Sequence, residues 1–173
     1  MQPGSVFREL FQEHGCGNGA AVASTGVLDV GDVGADLLTV VVVERKAPEA
    51  LTGAVAVALG QVNAGIFSND EDTFQHFTEG LTKSGERFWR LPLDDDYREQ
   101  IRSDIADIKN TGGRWGGAST AAQFLQVFAG DTPWIHLDIA GMAWLDETKP
   151  WTAKGPTGVA VRSIVEWVRT YSK

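Results

Sequence analysis

Along the first third of the chain, apolar positions follow no steady period. Residues 15 to 36 are rich in Gly, Ala and Val and match neither the alternation of a strand nor the repeat of a helix. The repeated glycines would make either element costly. Leu37 to Val43 is an apolar, largely β-branched run bounded by Glu44-Arg45-Lys46, consistent with a buried strand or a helical segment. From Leu51 onward the pattern becomes orderly. Residues 64 to 69, AGIFSN, read as a short buried strand. Ser68 and Glu71 have capping-box spacing ahead of Phe74, Phe77 and Leu81 at helical intervals, with Gly85 as the stop. Phe88 to Pro92 is a strand entering a turn. Asp94 is placed to cap a helix with Asp95 and Asp96 in its first turn and Tyr97, Ile101 and Ile105 along one face. A glycine-rich loop at 110 to 117 leads into a helix striped by Ala121, Phe124, Leu125 and Phe128. Residues 134 to 141 alternate Ile135, Leu137 and Ile139 with His136 and Asp138, the signature of a strand. Thr157 is expected to cap a closing helix whose apolar face is Val161, Ile164, Val165 and Val168. Strands alternating with helices indicate an α/β layer structure, and the weak N-terminal segment suggests an incomplete sheet.

Composition narrows the partners. The 173 residues are 43% hydrophobic and 22% charged, the range of a globular chain, and carry a formal charge of -8. That surface would repel a phosphate backbone or an anionic membrane, so neither nucleic acid nor membrane is expected as a partner. The lone cysteine, Cys16, allows no intramolecular disulfide and no thiolate zinc cage, as in a reducing compartment. No apolar run is long enough to span a bilayer, and Met1 to His14, with Arg8, Glu9 and Glu13, lacks the apolar core of a signal peptide. The expected location is the cytoplasm.

Few residues advertise chemistry. Gly112, Gly113, Gly116 and Gly117 miss the dinucleotide fingerprint, and Lys109 precedes them where a phosphate loop would have it follow, so a tight connection holding Arg114 is favoured. His136 and Asp138 share one face of a strand. They could give a metal two ligands or form a base with its orienting carboxylate, and a satisfied polar pair beside the sheet is the simpler reading. Asp94 to Asp96 could meet a hard cation, yet helix capping explains all three. No serine sits in a nucleophile elbow.

Several segments together resemble the leucyl aminopeptidases, the M17 family of metallopeptidases. They are LTGAVAVALGQVNAGIFSND at 51 to 70, the long block at 84 to 128, PWIHLDIAGMAW at 133 to 144 and KGPTGVAVRSIVEW at 154 to 167. The resemblance implies an α/β fold, a partial mixed β-sheet flanked by helices, as a truncated aminopeptidase catalytic domain. It divides the chain into an irregular or degenerate segment, 1–36, and the C-terminal portion of that domain, 37–173. It implies two-metal hydrolysis of N-terminal amino acids from peptides, with manganese or zinc as cofactor and a hexamer as the assembly. The family's ligand block, Asn-Thr-Asp-Ala-Glu-Gly-Arg, is absent. When Ala35-Asp36 is aligned with the Ala-Asp that follows it, Thr25 to Gly31 takes its place, leaving Val27 for the ligand aspartate, Asp29 for the glutamate and Gly31 for the arginine. Asp29 is thus a weak metal candidate, no catalytic residue is retained, and the remaining ligands would lie before Met1. By the resemblance, Leu51, Thr52 and Gly53 match the family loop beside the substrate, and Ala140 and Ala143 match the small residues lining the pocket for the first side chain. The chain alone is expected to bind no cation pair and to be inactive. The alternative is a non-enzymatic remnant or pseudo-subunit acting through homo-oligomerisation.

Overall fold

The computed structural model describes residues 8–10, 25–29, 39–43, 49–110 and 112–171. A six-stranded mixed sheet runs β1 (Arg8–Leu10), β2 (Thr25–Asp29), β3 (Thr39–Val43), β6 (Trp134–Asp138), β4 (Ala64–Ser68) and β5 (Phe88–Arg90), in that spatial order. β3 pairs parallel with β6, which pairs antiparallel with β4, and β4 pairs parallel with β5. Both edge strands, β1 and β5, have three residues, which keeps the open edges short. Helices α1 (Glu49–Leu59) and α4 (Gly117–Ala129) pack together, and the single-turn α3 (Asp95–Glu99) rests on α4. On the other side α2 (Glu71–Ser84) packs against α5 (Val161–Tyr171). A small hairpin, β7 (Trp144–Leu145) with β8 (Gly155–Pro156), precedes α5.

β6 lies between two strands and has a helix layer on each side, so every one of its five residues is buried. Ile135 and Leu137, with Ile66 and Ala64 of β4, face the cluster built on Phe77 and Trp167. Trp134, with Phe67 of β4, faces Val55, Ala118 and Ala122. The alternation predicted for β6 is therefore present, but its polar positions lie inside the protein. Trp167 meets Phe77 edge to face with ring centroids 5.3 Å apart. Burial of each such aromatic contributes roughly 2–3 kcal/mol.

Local chemistry settles several ends differently from the sequence expectation. The N-cap of α2 is Asp70, not Ser68: its carboxylate accepts from Thr73 N at 2.8 Å. The Ser68 hydroxyl is already engaged by the carbonyls of Asp70 and Trp134, each 2.8 Å away and sharing its one hydrogen. Gly85 closes α2 in the left-handed conformation, as predicted. α3 ends at Glu99, so Ile101 is buried while Ile105 is 98% exposed, and the expected stripe of Tyr97, Ile101 and Ile105 does not form. Asp94 stands at the N-cap of α3 without a side-chain cap bond. In α4 the buried positions run from Ala118 to Gln123, and Phe128 is exposed. α5 starts at Val161, beyond Thr157; Ser163 and Trp167 are its buried face, and Val161 and Val165 are exposed. Within the stretch expected to be irregular, β1 and β2 run as strands.

Two contacts fix α2 to α5. A Cβ on Gly80 would stand 2.9 Å from both Ser163 O and Trp167 N, so only glycine allows the backbones this close. Glu86, just past α2, accepts from Ser163 N at 3.0 Å and from the Ser163 hydroxyl, capping α5 from outside its own segment. Gly80→Ala is expected to lower stability by about 1–3 kcal/mol through this backbone clash. Gly53→Ala, whose added Cβ would meet nothing within 4 Å, is expected to raise stability by roughly 0.5–1 kcal/mol. Urea midpoints of the two variants check the contrast.

Candidate functional site

The C-terminal half of β6 carries two buried polar side chains. His136 and Asp138 are each 1% exposed. The imidazole lies between two aromatic planes, 5.9 Å from the Trp134 ring and 5.5 Å from Phe67. Asp138 accepts from Ala140 N at 3.2 Å. One backbone donor does not replace water around a carboxylate, so burial pushes the Asp138 carboxyl up to about 7 against the Ala140 bond, which lowers it. The pair is buried and polar. Among the described residues no group of three or more His, Cys, Asp or Glu could hold a metal ion.

The pocket candidates converge only in part. Ala140 follows β6 directly and packs in the cluster that contains Val55 and Ala54. A Cβ on the next residue, Gly141, would stand 2.3 Å from Gly60 O, so this turn rests directly on the end of α1. Ala143 packs on the opposite cluster, beside Ile139 and Ala160. Leu51, Thr52 and Gly53, expected in a loop, lie within α1. The sequence around them explains it: Pro48 and Glu49 suit a helix start, and Ala and Leu are frequent from Ala50 to Leu59. Gly53 is thus one turn before the stretch of α1 that touches the Ala140–Gly141 turn.

Asp29 lies elsewhere. Its register partner is Thr39, which pairs with Trp134, while Asp138 pairs with Val43 at the other end of β3. Four residues of strand separate these levels, about 13 Å. The structure therefore does not bring Asp29 together with the pocket candidates. Cys16 falls outside the described residues.

The glycine-rich loop is a packed connection. Gly116 has φ 68° and a Cβ there would lie 2.6 Å from the Tyr97 ring, while Gly113 N donates to Gln100 Oε1 at 3.3 Å. Arg114 sits over the Trp115 ring at 5.2 Å. The Asp94 carbonyl accepts from buried Gln123 Nε2 at 3.0 Å, which ties the acidic turn to α4. Sequence reasoning found no sign of the Ser84–Glu86–Ser163 link, because its members are 77 and 79 positions apart.

A mixed sheet lies between two helix layers and ends in a buried carboxylate and a turn of small residues, a partial α/β scaffold. The family model described as the cytosol aminopeptidase family, catalytic domain, matches residues 35–165, and the chain belongs to that family. It is 68% identical over 123 residues to a probable cytosol aminopeptidase of Acidobacterium capsulatum, covering 71% of this chain and 24% of that protein. It is 67% identical over 121 residues to a probable cytosol aminopeptidase of Koribacter versatilis, covering 70% and 24%. A solved structure of a tomato leucine aminopeptidase point mutant superposes with a TM-score of 0.64 at 41% identity, over 75% of this chain and 24% of that one. The chain thus spans about a quarter of the length of the curated relatives it matches. No helix among the described residues is long and apolar enough to cross a membrane.

Asp138 gives a pH test with a definite sign. Its carboxyl titrates near 7 in the folded protein, against an ordinary 3.8. Between those values the unfolded chain has lost this proton and the folded chain keeps it, so stability falls as pH rises and levels off above about 7. The contribution is on the order of 4 kcal/mol. Asp138→Asn is expected to remove most of this decline, measured as unfolding midpoints at pH 5 and pH 8.

Proposed function

We propose that this chain supplies the C-terminal scaffold and one pocket wall of a leucyl-aminopeptidase-type catalytic domain, and does not by itself carry out two-metal hydrolysis. The observation behind this is the donor set. At the end of β6, beside the proposed wall, the described carboxylate is Asp138, which is buried and half protonated near neutral pH. One such group does not fit a pair of divalent cations, which need several charged ligands held in common. The sequence, in turn, lacks the Asn-Thr-Asp-Ala-Glu-Gly-Arg block. In the family, a pair of manganese or zinc ions would polarise the first peptide carbonyl and generate the attacking hydroxide. No step of that kind is assigned to the residues described.

On this reading Leu51, Thr52, Gly53, Ala140 and Ala143 contribute shape: small side chains beside a strand end leave room for the first side chain of a peptide, and no group among them moves a proton. Residues 37–173 form the C-terminal portion of the aminopeptidase domain and 1–36 a degenerate segment, a reading supported by the family match beginning at residue 35, although β1 and β2 of that segment extend the same sheet. The cytoplasm is the proposed location. A second reading, a non-enzymatic subunit that works by association, is favoured by its exposed apolar groups: Val57 is 90% exposed, Trp115 78% and Trp151 80%.

The purified 173-residue chain, given manganese or zinc, is expected to release no amine from a leucyl amide above a no-protein control. Calorimetric titration with either cation is expected to show no pair of tight sites. Turnover that a chelator abolishes would overturn the proposal.

A further inference from the structure

Asp138 is placed where a negative charge finds no cation among the described residues. The elements packed about it are free of ionisable groups: β3 and β4 carry none, and neither does α4 or α1 from Leu51 onward. On its own strand the titratable neighbour is His136. Arg90, Asp94 and Arg114, on the connections that border these elements, are exposed. Apolar groups close over the side chain: a Cβ on Gly65 would stand 2.9 Å from Val55, 3.3 Å from Leu91 and 3.5 Å from the Asp138 Cβ. The carboxylate accepts from Ala140 N at 3.2 Å.

Ala140 N belongs to a tight turn, in which Ile139 O accepts from Met142 N and Ala143 N, both at 2.8 Å. The far end of this turn is pinned: Thr157 N donates to Ala143 O at 3.0 Å, and the Thr157 hydroxyl donates to Met142 O at 2.7 Å. The near end is held by the Asp138 carboxyl and by the bare contact of Gly141 with Gly60 O, where an added Cβ would stand at 2.3 Å. No water fits in that contact. Gln61 and Gly141 also border a solvent-filled cleft of about 710 Å³, so parting Gly141 from Gly60 gives water a route inward.

We propose that Asp138 is a proton-operated clasp: protonated, it keeps the turn at 140–143 shut on the end of α1, and ionised, it lets the turn lift so that the carboxylate takes up water. A buried carboxylate with one backbone donor and no cation is poorly solvated, whereas the neutral acid sits there at small cost. Burial holds the closed carboxyl near 7, and a hydrated one returns toward 3.8. Between those values the open form has lost its proton and the closed form keeps it. The open-to-closed ratio therefore rises by about tenfold per pH unit and levels off above 7. Because Ala140 and Ala143 lie on the proposed pocket wall, that wall loosens as pH rises. The clasp is independent of the scaffold reading: turnover of a leucyl amide would overturn that reading and leave the clasp untouched.

Amide hydrogen exchange of the full chain, read residue by residue by NMR from pH 5 to pH 8, tests it. Base-catalysed exchange by itself rises about tenfold per pH unit, and with the clasp the Met142 and Ala143 amides are expected to rise about a hundredfold per unit up to pH 7 and about tenfold beyond. Gly85 N, bonded to Leu81 O at 2.9 Å in the other helix layer, is expected to rise about tenfold throughout. In Asp138→Asn, whose amide oxygen still accepts from Ala140 N but takes no charge, the turn amides are expected to rise about tenfold throughout. The slope in the unaltered protein is a readout in its own right should that variant fail to fold. A tenfold slope at Met142 and Ala143 in the unaltered protein overturns the clasp, and so does a hundredfold slope kept by Asp138→Asn. Exchange at the turn no faster than at the β4 amides also overturns it, since that would mean unfolding of the whole domain rather than local opening. A slope below tenfold overturns it in favour of His136, because a buried imidazole ionises by taking up a proton and would open the turn as pH falls.

Discussion

The structure depends on a central strand that must satisfy neighbours on four sides. β6 shares its backbone hydrogen bonds with β3 and β4 and is covered by helices on both faces. That demand dictates the spacing of the rest. Large side chains at Trp134, Ile135 and Leu137 fill two clusters, while glycine at 65 lets Val55 and Leu91 approach the neighbouring strand. Polar residues in such a strand are retained only where something offsets their desolvation. His136 stacks with the rings of Trp134 and Phe67, and Asp138 meets that demand by holding its proton to near neutral pH.

The elements after residue 60 were legible because each carries its own punctuation. Gly85 and Gly116 occupy left-handed backbone at a helix end and a helix start, and β4 and β6 announce themselves as short apolar runs. Errors cluster where two local signals compete. Ser68 has the spacing of a cap, but a strand-end carbonyl claims its hydroxyl and Asp70 takes the role. Ile105 has helical spacing from Ile101, but the helix ends at Glu99 and the loop turns it outward. Family resemblance puts Leu51 to Gly53 in a loop, yet an alanine-rich context favours the helix that forms.

The site was less legible than the fold. Membership of the cytosol aminopeptidase family rests on residue identities spread along the chain, whereas the chemistry depends on a few groups meeting in space. Sequence placed His136 and Asp138 on one face correctly, but could not show that this face is roofed by α1 and α4. Nor could it show that Asp29 registers with the opposite end of the sheet from Asp138.

The link from Glu86 to Ser163 has a consequence for the order of assembly. They are 77 positions apart, with every element from β5 to β8 between them, so the last helix finds its cap only after most of the chain has been gathered in. Closing so long a loop is entropically dearer than a local turn, though the cost grows slowly with length. The final eleven-residue helix therefore acts as a latch: it completes a layer that α2 begins, and its acidic fastener comes from a segment synthesised long before it.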